Sequence, residues 1–225
     1  MGSSPPGCLQ RNDWICGDYL STRADTIASA AGEHVVLTVV SVALGLLLAL
    51  PLGVLAFRVP RLSGLVLGTS TAIYTIPSLA MFSLLLPFTG LSATTVVVGL
   101  VLYSLTILVR NVLAGLQGVP ADVVESAVGT GYGPASLLLR VQLPLALPAI
   151  LAGLRVATVS TVALVTVGSI LGNGGLGDLI YAGLRTRFQA EVLTATVLVV
   201  LLAVLADLLL VGVQRALTPW LRAAR

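Results

Sequence analysis

Lysine is absent from this 225-residue chain, histidine occurs once, and charged residues of every kind make up only 9% of it. A water-soluble domain carries about 25% charged residues, so too few polar groups are available here to cover a solvated surface. All 12 basic residues are arginines, and they are scattered at the flanks of apolar runs rather than clustered. That pattern gives no electrostatic footprint for nucleic acid. The single histidine, His34, and the two cysteines, Cys8 and Cys16, have no metal-ligand spacing around them, so no metal centre and no other cofactor is expected. Aromatic residues amount to 5%, too few for a complete aromatic cage inside a membrane. The two cysteines either pair, if their end of the chain meets an oxidising compartment, or remain thiols.

What is abundant is apolar: 57% of the residues are hydrophobic and the mean hydropathy is +1.05. This is the composition of an integral membrane protein. Five stretches, near residues 34–57, 64–87, 91–112, 145–171 and 190–213, are each long enough to cross about 30 Å of hydrocarbon as about 20 helical residues. They are too long and too uniformly apolar for barrel strands, and backbone groups in lipid must be satisfied internally. An all-α, polytopic helix bundle follows. The first run ends in arginine rather than at a cleavage site and is expected to stay in the membrane.

Arginine positions give the orientation. With the N-terminus outside, Arg58, Arg61, Arg110, Arg140, Arg215, Arg222 and Arg225 fall inside, and Arg11, Arg23, Arg185 and Arg187 fall outside. The tight turn after the first span, holding Arg58 and Arg61, is the clearest signal; the opposite turn, residues 89–92, has no basic residue. Residues 1–33 are then extracytoplasmic, with a Gly/Ser/Pro-rich start expected to be disordered. Trp14 and Tyr19 in the following segment suit either an interfacial helix or an exposed linker. Residues 34–213 form the membrane domain and 214–225 a cytoplasmic tail.

The one long non-membrane stretch inside the core is residues 113–144, cytoplasmic on this topology. Pro120 suits a first helical turn, and Asp122 and Glu125 suit the positive end of a short helix dipole. A turn at Gly131, Gly133 and Pro134 leads to an amphipathic piece ending at Pro144. Glu125, Ser126, Ala127, Gly131, Leu143 and Pro144 together resemble the glutamate-alanine-alanine loop of ABC importer permeases, with Ser126 standing for the first alanine.

The resemblance covers roughly residues 30–220. Residues 74–80 (Tyr-Thr-Ile-Pro-Ser-Leu-Ala), 108–111, 143–148, 172–178 and 33–38 are similar to the osmoprotectant branch, which imports glycine betaine, carnitine, choline or proline-related solutes. Permeases for methionine, sulfonate or phosphate share the docking loop and are the alternative. The resemblance implies a type I importer permease fold with no catalytic residue of its own. It implies ABC ATPase subunits docking on residues 125–144 and a second permease subunit, identical or related. It also implies a separate extracytoplasmic substrate-binding protein. No nucleic-acid partner is expected; membrane lipid surrounds the bundle.

Gly172, Gly174 and Gly177 match a dinucleotide fingerprint letter for letter, but they follow a membrane helix rather than a strand, so that reading fails. The resemblance implies an outer gate or binding-protein contact at Gly172, Asn173, Gly174, Gly175, Gly177 and Asp178; a turn of permissive glycines is the competing reading. Tyr74, Pro77, Tyr103, Asn111, Thr158 and Thr161 are candidates for the wall of a pathway, with packing as their alternative role. Asp207 is an acid inside the last span with Arg215 two turns further on the same face; Arg155 in the fourth span either snorkels or pairs across the bundle. Arg110 reads as a helix C-terminal charge and His34 as an interfacial residue. One histidine and one prominent mid-span acid do not make an intramembrane enzyme. Neither a charged filter ring nor inverted repeats argue for a channel or secondary carrier.

Overall fold

The computed structural model describes residues 7–220. The first six residues, expected to be disordered, and residues 221–225, with Arg222 and Arg225, lie outside the described residues. Among the described residues every regular element is helical. Two short helices, α1 (Cys8–Arg11) and α2 (Gly17–Thr22), precede α3 (Ala24–Arg58). The helix α3 therefore starts ten residues before the expected span, and the segment that was to be a separate interfacial helix is partly its first turns. The next helices are α4 (Pro60–Thr75), α5 (Ser78–Thr89) and α6 (Ala93–Gln117), then the short α7 (Ala121–Gly129). From there α8 (Pro134–Leu137) runs through a π-turn into α9 (Leu143–Val165), and a 3₁₀ stretch leads to α10 (Leu176–Thr186) and α11 (Gln189–Leu217).

Four segments are long and apolar enough to cross a membrane: α3, α6, the run Pro134–Leu171, and α11. The expected second span is not one helix. Residues 60–89 form α4 and α5, bent by 100° at Ile76–Pro77, and the pair has the length and composition of a fifth crossing. Pro77 supplies no N–H and forces the preceding residue into an extended conformation, so Ile76 sits at φ −67°, ψ 126°. By contrast Pro51, Pro87 and Pro148 lie inside helices that continue through them.

Two compact units make up the chain. One contains residues 1–41, 77–100 and 160–205, the other 42–76, 101–159 and 206–225. The chain passes between them five times, each time within one of the apolar helices or at the α4–α5 break. The core of the first unit joins Leu37, Phe82, Val96, Leu100 and Val165. That of the second joins Ala49, Leu105, Leu108, Val109 and Ala157, continued by Val112, Leu116, Ala146 and Ile150.

Small residues set the spacing of these helices, as membrane packing requires. A Cβ on Gly45 would stand 2.1 Å from the Ser104 hydroxyl, one on Gly53 2.4 Å from Val112, and one on Gly153 2.3 Å from Asn111. None of the most apolar stretch of α11 is buried within the chain, so Leu201, Leu205, Leu208 and Leu209 present an apolar outer face.

Candidate functional site

Three places concentrate the sequence-derived candidates. The first is α7 and its exit. Pro120 caps the helix with ψ 136°, and Asp122 sits in the first turn, where its charge complements the exposed N–H groups. Only Ala127 of this helix is buried; Glu125 and Ser126 are exposed. The helix ends because Gly131 takes φ +92°, a conformation that favours glycine. The C-terminal carbonyls are then satisfied locally: Gly131 N–H donates to Val128, and Tyr132 N–H and the Thr130 hydroxyl both donate to the Ala127 oxygen, at 3.1 and 2.9 Å.

Val128, one turn after Glu125 on α7, is 55% exposed, and Leu139 in the following π-turn is 63% exposed. Leu143 and Pro144 lie just past the π-turn Leu138–Gln142. Pro144 has no N–H to give to the Arg140 carbonyl, and the widened turn absorbs that gap, with Leu143 N–H donating to Leu138. Sequence reasoning missed the tie that holds this region: Arg58, at the end of α3, donates from Nη2 to the Pro134 carbonyl at 2.6 Å. Nothing in the spacing of the two residues signals it.

The second place is the glycine loop before α10. Gly174, Gly175 and Gly177 are buried, and Gly172 is exposed. Each buried glycine is pressed against backbone: a Cβ on Gly174 would meet Ser169 N at 2.4 Å, one on Gly177 would meet Thr166 Cα at 2.5 Å, and one on Gly175 would meet His34 N at 2.7 Å. Gly175 also has φ +55°. The turn is therefore a junction of α3, the 3₁₀ stretch and α10, not a loose run of permissive residues.

Asp178, at the third position of α10, reaches back so that Gly174 N–H donates to both its oxygens at 3.1 Å. Burial pushes the Asp178 carboxyl above the usual carboxylate range, against the Gly174 and Gly175 N–H groups that hold it down. Asn173 donates to the Leu171 carbonyl. His34 is fully buried, with Nε2 3.0 Å from the Val162 carbonyl.

The third place is the α4 end with the neighbouring part of α6. Tyr74 and Tyr103 meet edge to face, ring centroids 5.8 Å apart. The Tyr103 hydroxyl donates to the Ile76 carbonyl that the helix break leaves free. Pro77 is exposed; Thr158 and Thr161 are buried, with the Thr158 hydroxyl turned onto the Leu154 carbonyl. Asn111 donates to Ile107 and fills the space over Gly153, a packing role. Arg110 does not end its helix, since α6 continues to Gln117; it donates to the Thr71 hydroxyl at 2.8 Å. Of the six wall candidates, Tyr74 and Tyr103 are brought into ring contact.

The charged pair that the sequence left open is Arg155 with Asp207, joined by two hydrogen bonds of 2.8 and 2.9 Å. A fork-to-fork pair satisfies both charges within apolar helices, which explains how α9 and α11 tolerate them. The acid thus pairs with Arg155 of the fourth span.

Residues 41–223 match the family described as the binding-protein-dependent transport system inner membrane component. The chain is 35% identical over 201 residues to the choline transport system permease protein OpuBB of Bacillus subtilis, covering 89% of this chain and 93% of that protein. It is 37% identical over 204 residues to the glycine betaine/carnitine/choline transport system permease protein OpuCD of the same species, covering 90% and 89%. Its fold matches that of the MetNI methionine ABC transporter in an inward-facing conformation, with a TM-score of 0.81 at 24% identity over 88% of this chain and 98% of that one. With its apolar helices and its short helix α7 outside them, this multi-pass membrane chain belongs to the inner membrane components of binding-protein-dependent transport systems, the permease subunits of ABC importers.

Proposed function

We propose that this chain forms the pathway of an ATP-driven importer for osmoprotectants such as choline, glycine betaine and carnitine, and that α7 is the surface on which a separate ATPase docks. The observation that carries the reading is α7 itself: a short helix outside the apolar segments, sharply capped at both ends, with Glu125 and Ser126 exposed and apolar Val128 exposed on the same helix. Such a rim of one charge over apolar area suits a protein partner. The Arg58–Pro134 bond supports transmission, because it ties the start of α8, next in the chain after α7, to the end of α3. The substrate class rests on the names of the relatives at 35% and 37% identity; the likeness to MetNI supports the fold alone.

ATP hydrolysis belongs to the partner subunits. A second permease, identical or related, completes the pathway, and a binding protein delivers solute on the side of residues 172–178. Gly172 is the exposed contact there; Gly174, Gly175 and Gly177 hold the loop in shape. The N-terminus is outside and the C-terminus inside. The arginines at 58, 61, 140 and 215 and the Cys8–Cys16 disulfide favour that orientation. The test is Glu125→Arg in the assembled importer: uptake and binding-protein-stimulated ATPase are lost while membrane insertion is unchanged. Unaltered uptake would sink the docking assignment.

A further inference from the structure

The end of α4 is an unusual place for a tyrosine pair. The helix stops at Thr75 inside an apolar segment, and Pro77 offers no N–H to the carbonyls left behind. Some are satisfied: the Thr75 hydroxyl donates to Ala72, the Ile76 N–H to Ile73, and the Tyr103 hydroxyl to Ile76. The carbonyls of Tyr74 and Thr75 accept no hydrogen bond among the described residues. They form the negative end of a helix dipole. Directly there, Tyr74 is 46% exposed while Tyr103, 5% exposed, is fixed by its own hydrogen bond and holds the Tyr74 ring edge to face.

An aromatic face beside helix-end carbonyls attracts a cation that cannot itself donate hydrogen bonds. On the same helix face, one turn back, Thr71 holds the Arg110 guanidinium at 2.8 Å, and Arg110 is exposed. The face thus carries a cation-attracting end and an anion-attracting end about one helical turn, ~5 Å, apart.

Resting on the importer reading above, we propose that Tyr74 and Arg110 form a transit site in the pathway for a quaternary ammonium solute, Tyr74 with the α4 carbonyl end taking the methylated nitrogen and Arg110 taking the carboxylate of a zwitterion. Tyr103 is a positioning residue that fixes the Tyr74 ring. A solute without a carboxylate, such as choline, uses the Tyr74 end alone. The site is shallow, as a pathway needs: it lowers the barrier to passage without holding the solute.

Two measurements decide the matter. In the first, tetramethylammonium chloride is titrated into the purified full-length permease and binding is followed by saturation-transfer NMR against sodium chloride. Wild type and Tyr74→Phe bind, and Tyr74→Ala binds about tenfold more weakly. No binding to wild type, or equal binding to Tyr74→Ala, overturns the site.

In the second, the complete importer in proteoliposomes is assayed for choline and glycine betaine uptake per ATP hydrolysed. Tyr74→Ala lowers this ratio about tenfold for both solutes, Tyr74→Phe keeps most of it, and Arg110→Gln lowers it for glycine betaine several-fold more than for choline. Equal effects of Arg110→Gln on the two solutes remove Arg110 from the proposal, and a Tyr74→Phe loss as large as that of Tyr74→Ala removes the ring. Wild-type importer that moves neither solute refutes the osmoprotectant reading, while the tetramethylammonium titration still decides the site.

Discussion

Replacing Gly177 by alanine tests whether the glycine loop is a packed junction. A Cβ there would stand 2.5 Å from Thr166 Cα, 2.6 Å from its carbonyl oxygen and 2.9 Å from its carbonyl carbon. Carbon atoms come to rest at about 3.5–4.0 Å, so the 3₁₀ stretch and α10 must separate by roughly 1 Å. Overpacking of this kind costs about 1–3 kcal/mol. Here the obstacle is backbone, which cannot turn aside, and the upper end, ~3 kcal/mol, is expected.

For a chain of this length each kcal/mol moves the melting point by about 2–4 °C, giving a loss of about 6–12 °C for Gly177→Ala. Gly212, inside α11, is the matched control, because nothing lies within 4 Å of its Cβ position. Alanine there gains about 0.5–1 kcal/mol of helix propensity and raises the melting point slightly. The assay is thermal melting of the detergent-purified permease followed by size-exclusion fluorescence. A Gly177→Ala melting point within about 2 °C of wild type would refute the claim that this loop is pinned by close backbone approach.

Neutralising one partner of the Arg155–Asp207 pair, by Arg155→Gln or Asp207→Asn, leaves the other charge unpaired among apolar helices, so the yield of monodisperse protein falls; exchanging the two charges restores it. Single variants indistinguishable from wild type by size exclusion would mean the pair does not hold α9 to α11. Cys8 and Cys16 are bonded, so native protein takes up no maleimide until reductant is added, and the double serine variant loses about 2–3 kcal/mol of local stability in the α1–α2 segment, read by limited proteolysis. Label incorporated before reduction would contradict the bond.

Burial, then the neighbouring Glu191 carboxylate, push the Tyr19 hydroxyl up to about 12, from 10.0. Its neutral form is favoured in the folded state, so its contribution to stability is complete below pH 10 and disappears as the pH rises through about 12. Absorbance at 295 nm should show part of the tyrosine ionisation delayed, and Tyr19→Phe should shrink that late part by one tyrosine; a late part of unchanged size in the variant would contradict the reading.

Composition and run length alone determined the membrane class, the all-helical fold and the approximate position of the apolar helices, because lipid permits few alternatives to a satisfied helix of about 20 residues. The short helix at 121–129 was equally legible, since Pro120, Asp122 and Gly131 act on their own backbone and need no distant partner.

Tertiary structure decided the rest. Whether Pro77 breaks a helix, as it does, or is accommodated like Pro51 and Pro148 depends on what neighbouring helices offer the freed carbonyls, and here Tyr103 takes one of them. Asp207 could have met Arg215 on its own helix; only the approach of α9 gives it to Arg155. Hydropathy located neither the start of α3 nor the end of α6, because helical geometry continues past the runs it marked, and Arg110 was misread for that reason. The glycines at 174, 175 and 177 look like a flexible turn in one dimension and become a backbone junction only when Ser169, His34 and Thr166 close on them.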